Sequence, residues 1–99
     1  MDSYNTTHTI TKNIVQLHNE NRITSEVMTM FEYTYVISTR AKQIESGSMI
    51  FVDTGNITDY VAIAKMEIEQ RKCPLDIVRK LSDTIIEKWH VNEMVVPKN

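Results

Sequence analysis

The sequence predicts a small α+β domain with two main helices, a short antiparallel hairpin and a C-terminal helical turn. Three observations carry that expectation. Residues 29–45 open on a helix-capping signature and repeat their apolar residues at helical spacing. Residues 58–72 repeat the pattern with their own capping residues. Two short β-type runs then flank the turn-forming stretch Leu81-Ser82-Asp83-Thr84.

The chain has 99 residues and is 41% hydrophobic, with a formal charge of −2. That length allows one domain with a small core. The near-neutral balance offers no electrostatic reason to expect direct nucleic-acid or membrane adhesion. Cys73 is the single cysteine, so no intrachain disulfide can form, which fits a reducing compartment. No apolar run approaches the roughly 20 residues of a membrane span, and the first residues lack an apolar signal segment. These features predict a soluble, intracellular protein.

In chain order, residues 1–22 are polar and rich in Thr and Asn. They read as a tail ordered only on docking, with a short strand possible within "TITKNIVQL". Residues 23–99 form the expected domain. Thr29 and Glu32 make a capping box, each side chain reaching the other's backbone amide. Met30, Tyr33, Val36, Ile37, Ala41 and Ile44 then gather on one side of a helix that Gly47 ends. "SMIFVDTGN" suggests a short extended segment entering a loop. Thr58 or Asp59 caps a second helix carrying Tyr60, Val61, Ile63, Ala64 and Ile68. That helix runs to about Lys72, because Pro74 disfavours helix at Cys73. "PLDIVRKL" and "TIIEKW" supply the hairpin, and "HVNEM" one more turn.

Three charges interrupt the apolar faces: Arg40 on the first helix, Glu67 and Arg71 on the second. Charged side chains are almost never fully buried unless paired. Three readings follow. The charges snorkel to water as ordinary surface groups; they face another chain whose carboxylates and carbonyls satisfy them; or Arg40 pairs with Glu67 and joins the two helices.

Catalytic signals are sparse. Asp53-Thr54-Gly55 resembles the catalytic loop of aspartic proteases, and the length suits a subunit of a retroviral-type dimer. Such proteases share one proton between two aspartates. They are β-rich and use glycine freely, whereas this chain has two glycines and two strong helix patterns. The commoner role of these residues is a turn. His8, His18 and His90 are scattered without metal-ligand spacing, and no cofactor is implied.

Three blocks of the chain resemble the omega-like small subunit of multisubunit DNA-directed RNA polymerases. The closest form is subunit 6 of the eukaryotic nuclear enzymes, with viral and archaeal counterparts and the bacterial omega family. The first block comprises Thr29, Phe31 and Glu32, then Thr39, Arg40, Ala41, Gln43 and Ile44. The second is Asp59, Ile63, Ala64, Glu67, Arg71, Lys72 and Pro74. The third is Asp83, Glu87, Trp89 and Glu93. The blocks occur in order and without gaps over about residues 24–96. Departures from the family pattern are Ser38 for Gly, Met49 and Tyr60 for Pro, and Val78 for one of two arginines. The long acidic N-terminal extension of cellular members is missing, which gives the chain the look of a copy from a large DNA virus.

The resemblance implies a non-catalytic subunit that binds the largest polymerase subunit, contacts other polymerase subunits and promotes assembly. DNA and RNA are met only through the complex, no membrane is involved, and no homo-oligomer is expected. It implies action in the nucleus for a cellular protein, or in host cytoplasm and virion for a viral one. The partner-binding residues it suggests are Thr29, Phe31, Arg40, Gln43, Glu67, Arg71, Lys72 and Arg79. A stand-alone interaction adaptor and the aspartic protease are the alternatives.

Overall fold

The computed structural model describes residues 8–11, 14–17 and 19–98. His18 and residues 1–7 and 12–13, which belong to the expected tail, lie outside the described residues. The chain divides into two units, one drawn from Met1–Ser25 and Asp76–Trp89, the other from Glu26–Leu75 and His90–Asn99.

The second unit is helical. Helix α1 spans Met30–Glu45 and helix α2 spans Tyr60–Glu69. The capping box forms as expected: the Glu32 amide donates to Thr29 Oγ1 at 3.0 Å, and the Thr29 amide donates to Glu32 Oε1 at 3.0 Å. Two amides that α1 leaves without helical partners are thereby satisfied. At α2 the cap is Asp59, whose Oδ1 accepts from the Val61 amide at 3.2 Å. The helices pack through Val36, Ile37, Ala41 and Ile44 of α1 and Ile63, Ala64 and Ile68 of α2, all buried. Each such Val or Ile side chain stabilises by about 1.5–3 kcal/mol relative to exposure, and the two alanines by less.

Met30, Tyr60 and Val61, expected on the apolar faces, are exposed instead. All three sit in first turns, where the helix begins outside the layer that its middle buries.

Both helices end in the same hydrogen-bond motif, with different residues at its left-handed position. After α1, Gly47 has φ 102°; its amide donates to the Ile44 carbonyl at 3.0 Å, and the Ser48 amide donates to Gln43 at 3.0 Å. After α2, Arg71 has φ 59°; its amide donates to Ile68 at 3.1 Å, and the Lys72 amide donates to Glu67 at 2.8 Å. These are Schellman closures. The second helix therefore stops at Glu69, before the expected Lys72, because the backbone turns left-handed at Arg71 and not because of Pro74.

A non-glycine residue in that region needs compensation. The Arg71 side chain supplies it, donating to the carbonyls of Asn92 at 2.6 Å and Met94 at 3.2 Å. These carbonyls belong to the middle and the C-cap of the expected C-terminal turn, a 3-10 helix at Val91–Glu93. Beyond it, Val95 pairs with Val27 as an isolated parallel bridge.

The first unit is a sheet. Strands β1 (His8–Thr11) and β2 (Ile14–Leu17) lie within the N-terminal stretch, and β3 (Asp76–Lys80) and β4 (Ile85–His90) form the expected hairpin. Their order is β1-β2-β4-β3. Only residues 81–84 join β3 to β4, a connection too short for a parallel crossover. β1 and β2 pair antiparallel, whereas β2 and β4 pair parallel, with Val15 opposite Ile85 and Leu17 opposite Glu87. The sheet is thus mixed, an arrangement that short-range pattern cannot reveal.

Candidate functional site

Arg40 and Glu67 meet inside the helical unit. Arg40 is 2% exposed and Glu67 is fully buried. Their contact is bidentate, with Arg40 Nε donating to Glu67 Oε1 at 2.5 Å and Nη2 to Oε2 at 3.0 Å. Of the three readings of these charges, the internal pair is the one observed. Arg40 Nη1 also donates to Gln43 Oε1 at 3.0 Å, one helical turn on. The hydrogen bond to Glu67 raises the Arg40 pKa above its ordinary value, against the opposing effect of burial.

The same pair holds the segment that follows α1. Arg40 Nη2 donates to the Met49 carbonyl at 2.6 Å, and the Phe51 amide donates to Glu67 Oε2 at 2.9 Å. The guanidinium lies 5.5 Å from the Phe51 ring centroid, within cation–π range. The expected extended segment "SMIFV" joins no strand of the sheet. A side-chain ion pair satisfies the Met49 carbonyl and the Phe51 amide instead. The sequence flagged Arg40 and Glu67 through their misplaced charge, but nothing local points to the Met49 carbonyl and Phe51 amide as their partners.

A second buried carboxylate lies in the sheet unit. Glu87, on β4, is also fully buried. It accepts from the Ile23 amide at 2.5 Å, the Thr24 amide at 3.1 Å, the Thr24 hydroxyl, and Trp89 Nε1 at 3.0 Å. Burial pushes its pKa up, but the hydrogen bonds outweigh burial and hold the carboxyl below the usual range. Thr24 Oγ1 in turn accepts from Arg79 Nη1 at 2.7 Å. A hydroxyl therefore relays between a guanidinium and the carboxylate. Arg22 stacks on Trp89 at 3.7 Å and donates to the Lys88 carbonyl at 3.1 Å. Sequence reasoning gave Glu87 no role of its own. The alternation of Glu87 and Trp89 on one strand face was the available signal.

The other sequence-predicted residues are dispersed. Thr29 caps α1. Phe31 is 80% exposed on the first turn of α1, with exposed Tyr35 four residues on and so on the same side. Arg71 and Lys72 close α2 and are exposed. Arg79 belongs to the Glu87 cluster. Only Arg40, Gln43 and Glu67 come together.

Asp53 makes the turn that the sequence allowed. Its Oδ1 accepts from the Gly55 amide at 3.0 Å, and Gly55 has φ 56°. The loop sits between two helices and not in a β-rich body.

Comparison with known proteins bears on both units. Residues 22–75, which contain α1, the pinned segment and α2, match the family model described as RNA polymerase Rpb6. The DNA-directed RNA polymerases I, II, and III subunit RPABC2 of Saccharomyces cerevisiae is 39% identical over 77 residues, covering 78% of this chain and 50% of that protein. The DNA-directed RNA polymerases II and V subunit 6B of Arabidopsis thaliana is 40% identical over 75 residues, covering 76% and 52%. The RPABC2 subunit of Schizosaccharomyces pombe is 38% identical over 76 residues, covering 77% and 54%. The chain spans about half the length of the curated relatives it matches.

Proposed function

The chain belongs to the RNA polymerase Rpb6 family, and from that premise we propose that it is a non-catalytic subunit of a multisubunit DNA-directed RNA polymerase. It binds other polymerase subunits, the largest among them, and promotes their assembly and stability. The observation that carries this reading is the family match over residues 22–75. The relatives' names describe subunits of nuclear polymerases, which supports the subunit role.

Residues 23–99 act as the assembly domain, and residues 1–22 form a polar N-terminal tail that engages the partner when the chain docks. Phe31, Lys72, Arg71 and Thr29 lie at helix ends and meet the partner. Arg40, Gln43 and Glu67 shape that surface from within, and Arg79 contributes through the sheet unit. DNA and RNA are reached through the complex. The subunit acts where its polymerase acts, in the nucleus of a cell or in the cytoplasm and virion of a large DNA virus. A subunit that binds only the native form of a long chain shifts that chain toward folding by mass action.

A tagged chain expressed in its own host tests the proposal by affinity capture and mass spectrometry of what it retains. Polymerase large subunits in near-stoichiometric amount are expected. A preparation that holds small partners and no polymerase subunit would establish an adaptor instead.

A further inference from the structure

We propose that residues 49–51 form a strand edge to which an extended, uncharged, apolar segment of a polymerase large subunit adds by backbone hydrogen bonding. This rests on the polymerase-subunit reading above. The Met49 carbonyl and the Phe51 amide both turn inward, onto Arg40 Nη2 and Glu67 Oε2. A carbonyl and the amide two residues later share one edge of an extended chain. The ion pair offers them an adjacent donor and acceptor, as a neighbouring strand would. Ile50's own amide and carbonyl then belong to the opposite edge, and they make no hydrogen bond among the described residues. One side of the segment is therefore finished by side chains and the other is open.

The chemistry of that open edge selects its occupant. Met49 is 71% exposed, Phe51 45% and Ile50 38%. From Gly47 to Val52 no side chain is charged, so a charged segment would find nothing here to pair with. An exposed, uncharged β-prone edge is a template for pairing with another chain. Three residues alone supply far less than the roughly 1,200 Å² that a stable interface buries in total. A second copy held only by this edge would not stay bound, which favours a large partner anchored elsewhere as well.

Two measurements test this on the full chain. Ile50→Pro removes the outward amide, keeps the Met49 carbonyl and Phe51 amide, and biases Met49 toward the extended state. It should leave the thermal midpoint close to that of the unaltered chain and weaken capture of large subunits about tenfold or more. Hydrogen exchange of the unaltered chain should show the Ile50 amide exchanging freely alone and protected in the polymerase complex. If Ile50→Pro unfolds the chain, the exchange measurement decides.

Capture of large subunits equal to that of the unaltered chain, or an Ile50 amide that stays unprotected in the complex, overturns the edge while sparing the subunit reading. Failure of the unaltered chain to capture any polymerase subunit overturns both. An Ile50 amide protected by self-association, seen as a dimer in sedimentation, also overturns the assigned occupant.

Discussion

Glu67 and Glu87 are both fully buried carboxylates, yet the molecule neutralises them in different ways. In the helical unit, Glu67 meets a full opposite charge in a two-pronged contact with Arg40. In the sheet unit, Glu87 meets two amides, a hydroxyl and an indole, with the guanidinium of Arg79 one hydroxyl away. The first solution concentrates compensation in one partner that is costly to lose. The second spreads it over several neutral dipoles, each worth less. The first also ties three parts of the chain together, since the α1 and α2 side chains jointly hold the Met49–Phe51 segment.

The largest expected effect follows from that concentration. Arg40→Ala leaves Glu67 buried without its cation and should destabilise the protein by about 3–5 kcal/mol, measured by urea unfolding. Glu67→Ala should cost a similar amount. In the double variant the losses should fall well short of their sum. Additive losses would mean that the two side chains are not coupled, and the contrast with Glu87 would collapse.

Glu87→Gln should cost less, about 1–3 kcal/mol, because the amide keeps part of the hydrogen bonding. It also makes the Glu87 carboxyl testable by pH. Glu87 has a folded-state pKa below its unfolded value. Its stabilising contribution is therefore complete above that value and disappears as pH falls through the lower folded-state pKa. Stability measured by denaturant titration from pH 7 down to pH 2 should decline less steeply in Glu87→Gln than in the unaltered protein. An identical acid limb in both would assign the decline to other groups.

The smallest effect is expected for Thr24→Val, about 1 kcal/mol. It deletes the hydroxyl between Arg79 and Glu87 and leaves both backbone amides and Trp89 Nε1 in place. The Glu87 pKa should rise, moving the acid limb to higher pH, and carboxyl NMR titration would read the shift directly. An unmoved pKa would show that the amides and indole suffice without the hydroxyl.

These centres differ in how far they could be read beforehand. Thr29 and Glu32 announce the start of α1 because a capping box is complete within four residues. Leu81 to Thr84 announce the hairpin because a tight turn is also local. Arg40 and Glu67 stood out because each breaks an apolar face, although three explanations of the break stayed open. Glu87 was less conspicuous, since a single Glu in "TIIEKW" matches ordinary alternation and its partners Ile23 and Thr24 lie more than sixty residues earlier. The left-handed turn at Arg71 had no local signal, because glycine is the usual occupant and arginine gives no warning.

What the chain's letters determined alone were the two capped amphipathic helices, the hairpin, the family resemblance and the presence of charges that demanded partners. Those properties depend on interactions spanning a few residues, or on pattern, and so survive in one dimension. Only the tertiary structure decided which partner each charge received, that β2 lies parallel to β4, and that an ion pair would stand in for a strand beside Met49 and Phe51. A buried charge requires compensation wherever it lies, but the identity of the compensating group depends on which distant segments the fold brings within about 3 Å of it.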